Sequence, residues 1–226
     1  MNLTLTVADL MWLVKRSSAA PAFVDAVAGR PGPRATTYLP ETEPKAIVRP
    51  KEVLLYLLVR TLKPERAVET GVHHGWSTKA ILSAMNENET GRLVSIDLPT
   101  VGTGQVDSDG HFDGCHVDRT DDTGREVPAY LRGRWQLRLG SSQDLLPAAL
   151  KELGSIDLFF HDSEHSSKVM RWEYETAWPF LTPGGVLYSD DVDWNDAFAA
   201  FARDVGRPAH TFRLAIGKGK VGGLRK

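Results

Sequence analysis

Arg66-Ala67-Val68-Glu69-Thr70-Gly71-Val72-His73-His74-Gly75-Trp76-Ser77-Thr78 is the stretch that decides how this chain reads. A short apolar run ends in an acidic residue and turns through two glycines. It then enters Lys79 to Met85, a run that predicts a helix starting at Ser77/Thr78. Strand, glycine turn and helix together make a cradle for a nucleotide-type cofactor. Gly71 and Gly75 let the backbone turn sharply and let a ligand approach where a Cβ would clash, and the N–H groups at the helix start favour a carboxylate or phosphate. Glu69 argues against phosphate, because a carboxylate at the strand tip repels a pyrophosphate. It suits a cofactor that carries a cationic amine and a sulfonium, and S-adenosylmethionine has both.

Working outward, strands and helices alternate. Lys51 to Leu62 reads as an apolar helix stopped by Lys63-Pro64, and Arg92 to Asp97 as strand two. Trp135 to Leu139 follows as strand three, Leu145 to Leu153 as a helix, and Ile156 to His161 as strand four. Lys168 to Leu181 is a further helix and Val186 to Asp190 strand five. Such alternation implies an α/β fold, a Rossmann-like doubly wound and mostly parallel sheet. The tail departs from it: His210 to Ile216, Gly217-Lys218-Gly219 and Lys220 to Leu224 predict an antiparallel C-terminal hairpin. Before the core, Thr6-Val7-Ala8-Asp9 resembles a capping box for a helix to about Lys15, Pro21 suits the start of a second, and Gly29 to Pro44 is a loop. The expected division is a helical N-terminal cap over 1–63 and a core over 64–226.

Composition narrows the function classes. At 226 residues and 42% hydrophobic the chain can bury one substantial core. Its 27 Lys+Arg against 29 Asp+Glu leave no basic excess to draw nucleic acid. Leu10 to Val14 is too short for a membrane span and lacks the flanks of a signal peptide. A single cysteine, Cys115, excludes an intramolecular disulfide and suits a reducing, cytoplasmic setting. The apolar N-terminal helices could pack over a pocket or against a second copy of the chain.

Pro99 to about Arg132 breaks the βα rhythm, with five glycines and many aspartates. A long loop in a compact domain is usually a functional lid or disordered. This one follows strand two, at the carboxyl ends of the strands where open α/β sheets bind ligands, and it is read as a substrate lid. A solvated insertion is the plainer alternative.

Five motifs in order carry a resemblance: Val68-Glu69-Thr70-Gly71-Val72 with Gly75 and Ser77-Thr78; Ser95-Ile96-Asp97; Gly140-Ser141-Ser142-Gln143-Asp144; Ile156 to Asp162; and Pro183-Gly184-Gly185-Val186 with Asp190-Asp191. Over about Pro64 to Ala200 the chain resembles the class I S-adenosylmethionine-dependent methyltransferases. The resemblance implies that Glu69 and Gly71 hold the methionine moiety, that Gly75 and Ser77 close around its carboxylate, and that Asp97 accepts the ribose hydroxyls. It also implies that Ser142 and Gln143 lie near the adenine.

Asp162 closes strand four and Asp190-Asp191 closes strand five, so three carboxylates should meet at one rim of the sheet. Such a cluster is costly unless a proton or a cation relieves it, and oxygen ligands favour Mg²⁺, Mn²⁺ or Ca²⁺. The arrangement is similar to the metal triad of catechol O-methyltransferase, and closer to that of the macrocin and novobiocin sugar O-methyltransferases. That implies a divalent metal, Mg²⁺ in the first instance, on Asp162, Asp190 and Asp191. The sugar O-methyltransferases place an acid at the position of Glu164 as general base, while here His165 is a rival with the better intrinsic pKa, and His161 or His165 could join the metal. Trp194 either stacks on a substrate or packs beside Phe198.

Three functions follow. One is a metal-dependent O-methyltransferase acting on a small hydroxylated molecule of secondary metabolism. Another is a metal-independent O- or N-methyltransferase using His165 or Glu164 as base, with the aspartates only positioning the nucleophile. The third is a nicotinamide-dependent oxidoreductase, whose Gly-x-Gly-x-x-Gly marker is absent after strand one. A non-catalytic binding protein would not need converging acids.

Overall fold

The computed structural model describes residues 24, 26–28, 50–102, 105–110, 112–113, 116–214 and 219–226. The two expected helices before Gly29, the loop to Pro44 and Cys115 lie outside them, apart from residues 24 and 26–28.

Helix α1 (Pro50–Leu62) precedes strand β1 (Arg66–Thr70), helix α2 (Trp76–Glu87) and strand β2 (Arg92–Asp97). After the insertion come β5 (Trp135–Leu139), α3 (Ser142–Leu153), β6 (Ile156–His161), α4 (Ser167–Ala177), β7 (Leu181–Ser189), α5 (Ala197–Asp204), β8 (His210–Arg213) and β9 (Lys220–Arg225). Seven strands form one sheet in the order β5-β2-β1-β6-β7-β9-β8. The first five are parallel, while β9 runs antiparallel to β7 and to β8. This is the doubly wound, Rossmann-like sheet with its antiparallel C-terminal hairpin.

Buried apolar side chains of β1, β2 and β6 point to opposite faces, as the period of two demands. Ala67, Leu93, Leu158 and Phe160 join α1 and α2 in one core, with Val24, Val27 and Ala28. Val68, Val94, Ile96 and Phe159 join α3, α4 and α5 in the other. The chain winds from β1 outward to β2 and β5, then returns to β6 and works the other way. The reversal therefore falls between β1 and β6, whose ends pair Thr70 with His161. In open α/β sheets that is where ligands bind.

Some boundaries differ from the sequence expectation for clear reasons. Helix α3 starts three residues early, because the Ser141 side chain caps it by accepting the Asp144 N–H. The helix expected to reach Leu181 stops at Ala177, since Pro179 cannot continue it, and Trp178–Phe180 becomes a 3₁₀ turn. Strand β7 then starts at Leu181 rather than Val186. Its register with β6 shifts between the Ile156 and Leu158 pairings.

The insertion is not featureless. Strands β3 (Gln105–Val106) and β4 (Phe112–Asp113) form a two-stranded antiparallel hairpin. Thr120–Asp122 and Ala129–Arg134 are 3₁₀ turns, and Val117, Thr123, Val127 and Leu131 are buried. Its second half is thus packed scaffold.

Phe159, fully buried on the central strand β6, tests how far this core carries the fold. Phe159→Ala should lower the unfolding free energy by about 3–5 kcal/mol, read from denaturant titration, with little change in the slope.

Candidate active site

The β1 turn is held from beneath by a buried carboxylate. Glu69 has no exposed surface. It accepts hydrogen bonds from Ser77 Oγ at 2.6 Å, Thr78 Oγ1 at 2.7 Å and Ser95 Oγ at 2.7 Å. Two of these donors open α2 and the third lies on β2, so one side chain fixes the distance between the strands and the helix start. Burial raises the Glu69 pKa to about 7, although the three hydroxyls pull it down. Above the turn, Gly71 (φ +85°) has no room for a Cβ, which would overlap the Asp162 carbonyl. Gly75 (φ +89°) is the left-handed N-cap of α2, and a Cβ there would strike Gly124. The close approach that demands each glycine is made by the protein's own backbone.

A chamber of about 590 Å³ opens at the switch point between β1 and β6. Gly71, Ser77, Asp97, Ser142 and Gln143 line it, as the sequence expected of a cofactor site. Asp97 Oδ1 accepts the Val72 N–H at 2.8 Å and the His73 N–H at 3.4 Å, and burial shifts the Asp97 pKa upward. Glu69 and Gly75 stand behind the lining rather than in it.

The same chamber is lined by Asp162, Glu164, His165, Asp190, Asp191 and Trp194. Ligand atoms of Asp162, His165 and Asp190 lie within 4.8 Å of one another. That grouping has His165 where the sequence expected Asp191. Asp191 adopts a left-handed conformation (φ 46°), and its Oδ1 lies where a Cβ on Gly219 would be. Burial, then the neighbouring Asp190, raises the Asp191 pKa to about 6. Glu164 is exposed and accepts a bond from Ser166 Oγ at 2.6 Å. The His165 ring lies 5.1 Å from the Trp194 ring and 5.3 Å from that of His161. Trp194, 38% exposed, therefore sits beside the candidate base; Phe198 instead packs edge-on to Tyr174.

Sequence reasoning missed two groups. Lys51 stands in the first turn of α1, where it reads as an ordinary helix charge. Its Nζ lies 2.8 Å from Asp162 Oδ2 and 2.6 Å from Asp190 Oδ2. One signal was present: a helix N-terminus disfavours a cation, so a lysine in the first turn of an apolar helix calls for an acidic partner elsewhere. The other is Glu173, fully buried on α4, which binds His161 Nδ1 at 2.7 Å, Ser163 Oγ at 2.7 Å and the Thr70 hydroxyl. Burial opposes its charge, yet the His161 ring and the hydroxyl donors hold Glu173 below the usual carboxylate range.

The insertion reaches over this site. His73 Nε2 is 2.8 Å from the His116 carbonyl, and Asp109 Oδ2 accepts the Ser167 N–H at 2.6 Å. Val106, Asp107, Ser108, His116 and Val117 line the chamber. Gly124 and Glu126 donate their N–H groups to the His73 and His74 carbonyls, which pins the second half of the insertion to the glycine turn.

Comparison with known proteins accords with this geometry. A family model described as a methyltransferase domain matches residues 68–192, more than half of the chain. Comparison with curated protein sequences finds no match. Among solved structures, the calicheamicin methyltransferase CalS11 is similar at 21% identity over 77% of each chain, with a TM-score of 0.55. An O-methyltransferase from Bacillus cereus in complex with SAH is similar at 18% identity over 96% of this chain and 97% of its own, TM-score 0.55. The O-methyltransferase TomG from Streptomyces achromogenes, involved in tomaymycin synthesis and solved with SAM, matches at 20% identity over 95% and 92%, TM-score 0.56. At these identities the likeness is one of fold.

Glu69 gives a signed test. Its folded pKa of about 7 lies above the ordinary 4.5, so between those values the folded state keeps a proton that the unfolded chain has released. Glu69 then contributes most below pH 4.5, and its contribution declines as pH rises through 7. Thermal melts should show Glu69→Gln losing less stability than the parent across that window; parallel curves would contradict it.

Proposed function

The chain belongs to the methyltransferase domain family and is an S-adenosylmethionine-dependent methyltransferase; we propose that it methylates an oxygen of a small hydroxylated molecule. One observation carries the reading: the glycine turn with Asp97 and the acidic rim with His165 line one chamber. A cofactor and an acceptor held there would be brought together, and such positioning supplies much of the acceleration in a two-substrate transfer.

Roles follow from position. Gly71 and Ser77 receive the methionine end of the cofactor at the start of α2, and Gly75 keeps the turn open around its carboxylate. Asp97 accepts the ribose hydroxyls, and Ser142 and Gln143 flank the adenine. Glu69 acts through the turn it supports rather than by contact. His165 takes the acceptor's proton; Glu164 is a weaker choice, because it is exposed and occupied by Ser166. The histidine is held in place by Trp194 on one side and on the other by His161, which Glu173 anchors. We read 1–63 as a cap that delivers Lys51 to the chamber and 99–132 as its cover. A cytoplasmic setting, a secondary metabolite as acceptor and self-association through the cap complete the reading.

The acidic rim raises the question of a divalent ion, Mg²⁺ above all. The donors are suitable in kind, two carboxylates and an imidazole, and Asp190 Oδ1 is buried without a hydrogen-bond partner among the described residues. Yet the Lys51 ammonium already holds one oxygen of each carboxylate. An ion does not fit beside it as the side chains stand.

Calorimetry should register S-adenosylmethionine or its demethylated product, with Asp97→Ala weakening binding by about 1.5–3 kcal/mol. His165→Ala should keep the cofactor and lose about 10²–10⁴-fold in turnover. Binding of NADH with no response to S-adenosylmethionine would sink the reading.

A further inference from the structure

The acidic rim already contains a cation. Asp162 and Asp190 follow the ends of neighbouring parallel strands, which pair His161 with Ser189, and two carboxylates so close repel unless a proton or a positive charge relieves them; burial, with Asp190 beside it, holds the Asp162 carboxyl well above the usual carboxylate range. Lys51 provides that charge, through one oxygen of each. It does so from the second residue of α1, against the sign of the helix dipole, so it is the carboxylates that favour its place. A divalent ion drawing on the same oxygens would stand against the ammonium, in a part-buried setting where like charges are poorly screened.

Lys51 also has a donor to spare. An ammonium offers three N–H groups, and two are taken by Asp162 and Asp190. The third has no hydrogen-bond partner among the described residues, and Lys51 lines the chamber with His165 and Trp194.

We propose that Lys51 takes the place of the divalent cation: its ammonium bridges Asp162 and Asp190, offsetting one of their charges, and donates its third N–H to the oxygen that is methylated. This rests on the methyltransferase reading above. In the transfer, the acceptor O–H proton passes to the His165 imidazole while the oxygen's electrons form the new O–C bond. The C–S bond breaks, its electron pair stays on sulfur, and the products are a methyl ether, S-adenosylhomocysteine and a protonated His165. Lys51 keeps its protons throughout. The substitution also defines the substrate class. A metal with several open positions grips two adjacent oxygens, whereas one N–H engages one, so a single hydroxyl suffices and a vicinal diol or catechol gains nothing.

The test is Mn²⁺ binding to chelator-treated protein, followed by electron paramagnetic resonance, with binding of S-adenosylhomocysteine measured on the same samples. The parent should bind Mn²⁺ weakly. Lys51→Ala should bind it at least about 10–100-fold more tightly, the range that changes around a ligand shell produce, because the two carboxylates are then unoccupied. Lys51→Met, which keeps the length of the side chain, should do the same if the alanine variant does not fold. Tight binding by the parent, or no gain in either variant, would overturn the proposal. The Mn²⁺ readout does not depend on the cofactor, so failure to bind S-adenosylhomocysteine would count against the methyltransferase reading and leave the role of Lys51 to be judged separately.

Discussion

A buried carboxylate at the tip of the first strand organises the glycine-turn half of the chamber. Glu69 is inaccessible to water, and three hydroxyls converge on it from the start of α2 and from β2. The network extends further, since Trp135 Nε1 donates to Ser95 Oγ at 2.9 Å, and the Trp135 ring lies where a side chain on Gly124 would be. A partly satisfied buried network costs more than an apolar core, so these groups are constrained together. The glycine turn, strand β5 and the second half of the insertion are all referenced to one side chain.

The acidic-rim half is organised by charge in a different way. Glu173 is compensated by a histidine and hydroxyls, which fixes His161, with the His165 ring edge-on to it and the Trp194 ring tilted against His165. Asp162 and Asp190 are compensated by Lys51, which comes from a helix on the far side of the sequence. The two halves touch where Gly71 meets the Asp162 carbonyl. A side chain at that position would push the cofactor turn away from the acidic rim. On the proposed reading, that backbone contact would hold cofactor and acceptor at one separation, the kind of constraint on which transfer geometry depends.

Local sequence determined a great deal. The apolar runs of β1, β2 and β6 and the turn chemistry of Gly71 and Gly75 were enough for the parallel sheet, because a period of two and a left-handed turn are properties of neighbouring residues. Asp97, Ser142 and Gln143 were legible for a related reason: each lies just beyond a strand, and the topology carries every such end to the same rim. The antiparallel hairpin followed from the glycines between two strand-like runs. Ser141 as a cap and Pro179 as a stop also act locally, and they set the start of α3 and the end of α4.

Only the tertiary structure decided what the charges do. Glu69 reads from sequence as a ligand-binding acid; burial beneath the turn makes it a support, which depends on Ser95, 26 residues away. Asp191 reads as one of three equivalent carboxylates, but a left-handed backbone sends it toward Gly219 while His165 joins the other two. Lys51 lies 111 residues from Asp162 and 139 from Asp190. No spacing rule reaches that far, since an ion pair across the sheet exists only once the helix has packed against it. Sequence patterns record the conformation of neighbours. The partner that neutralises a buried charge is chosen by the fold.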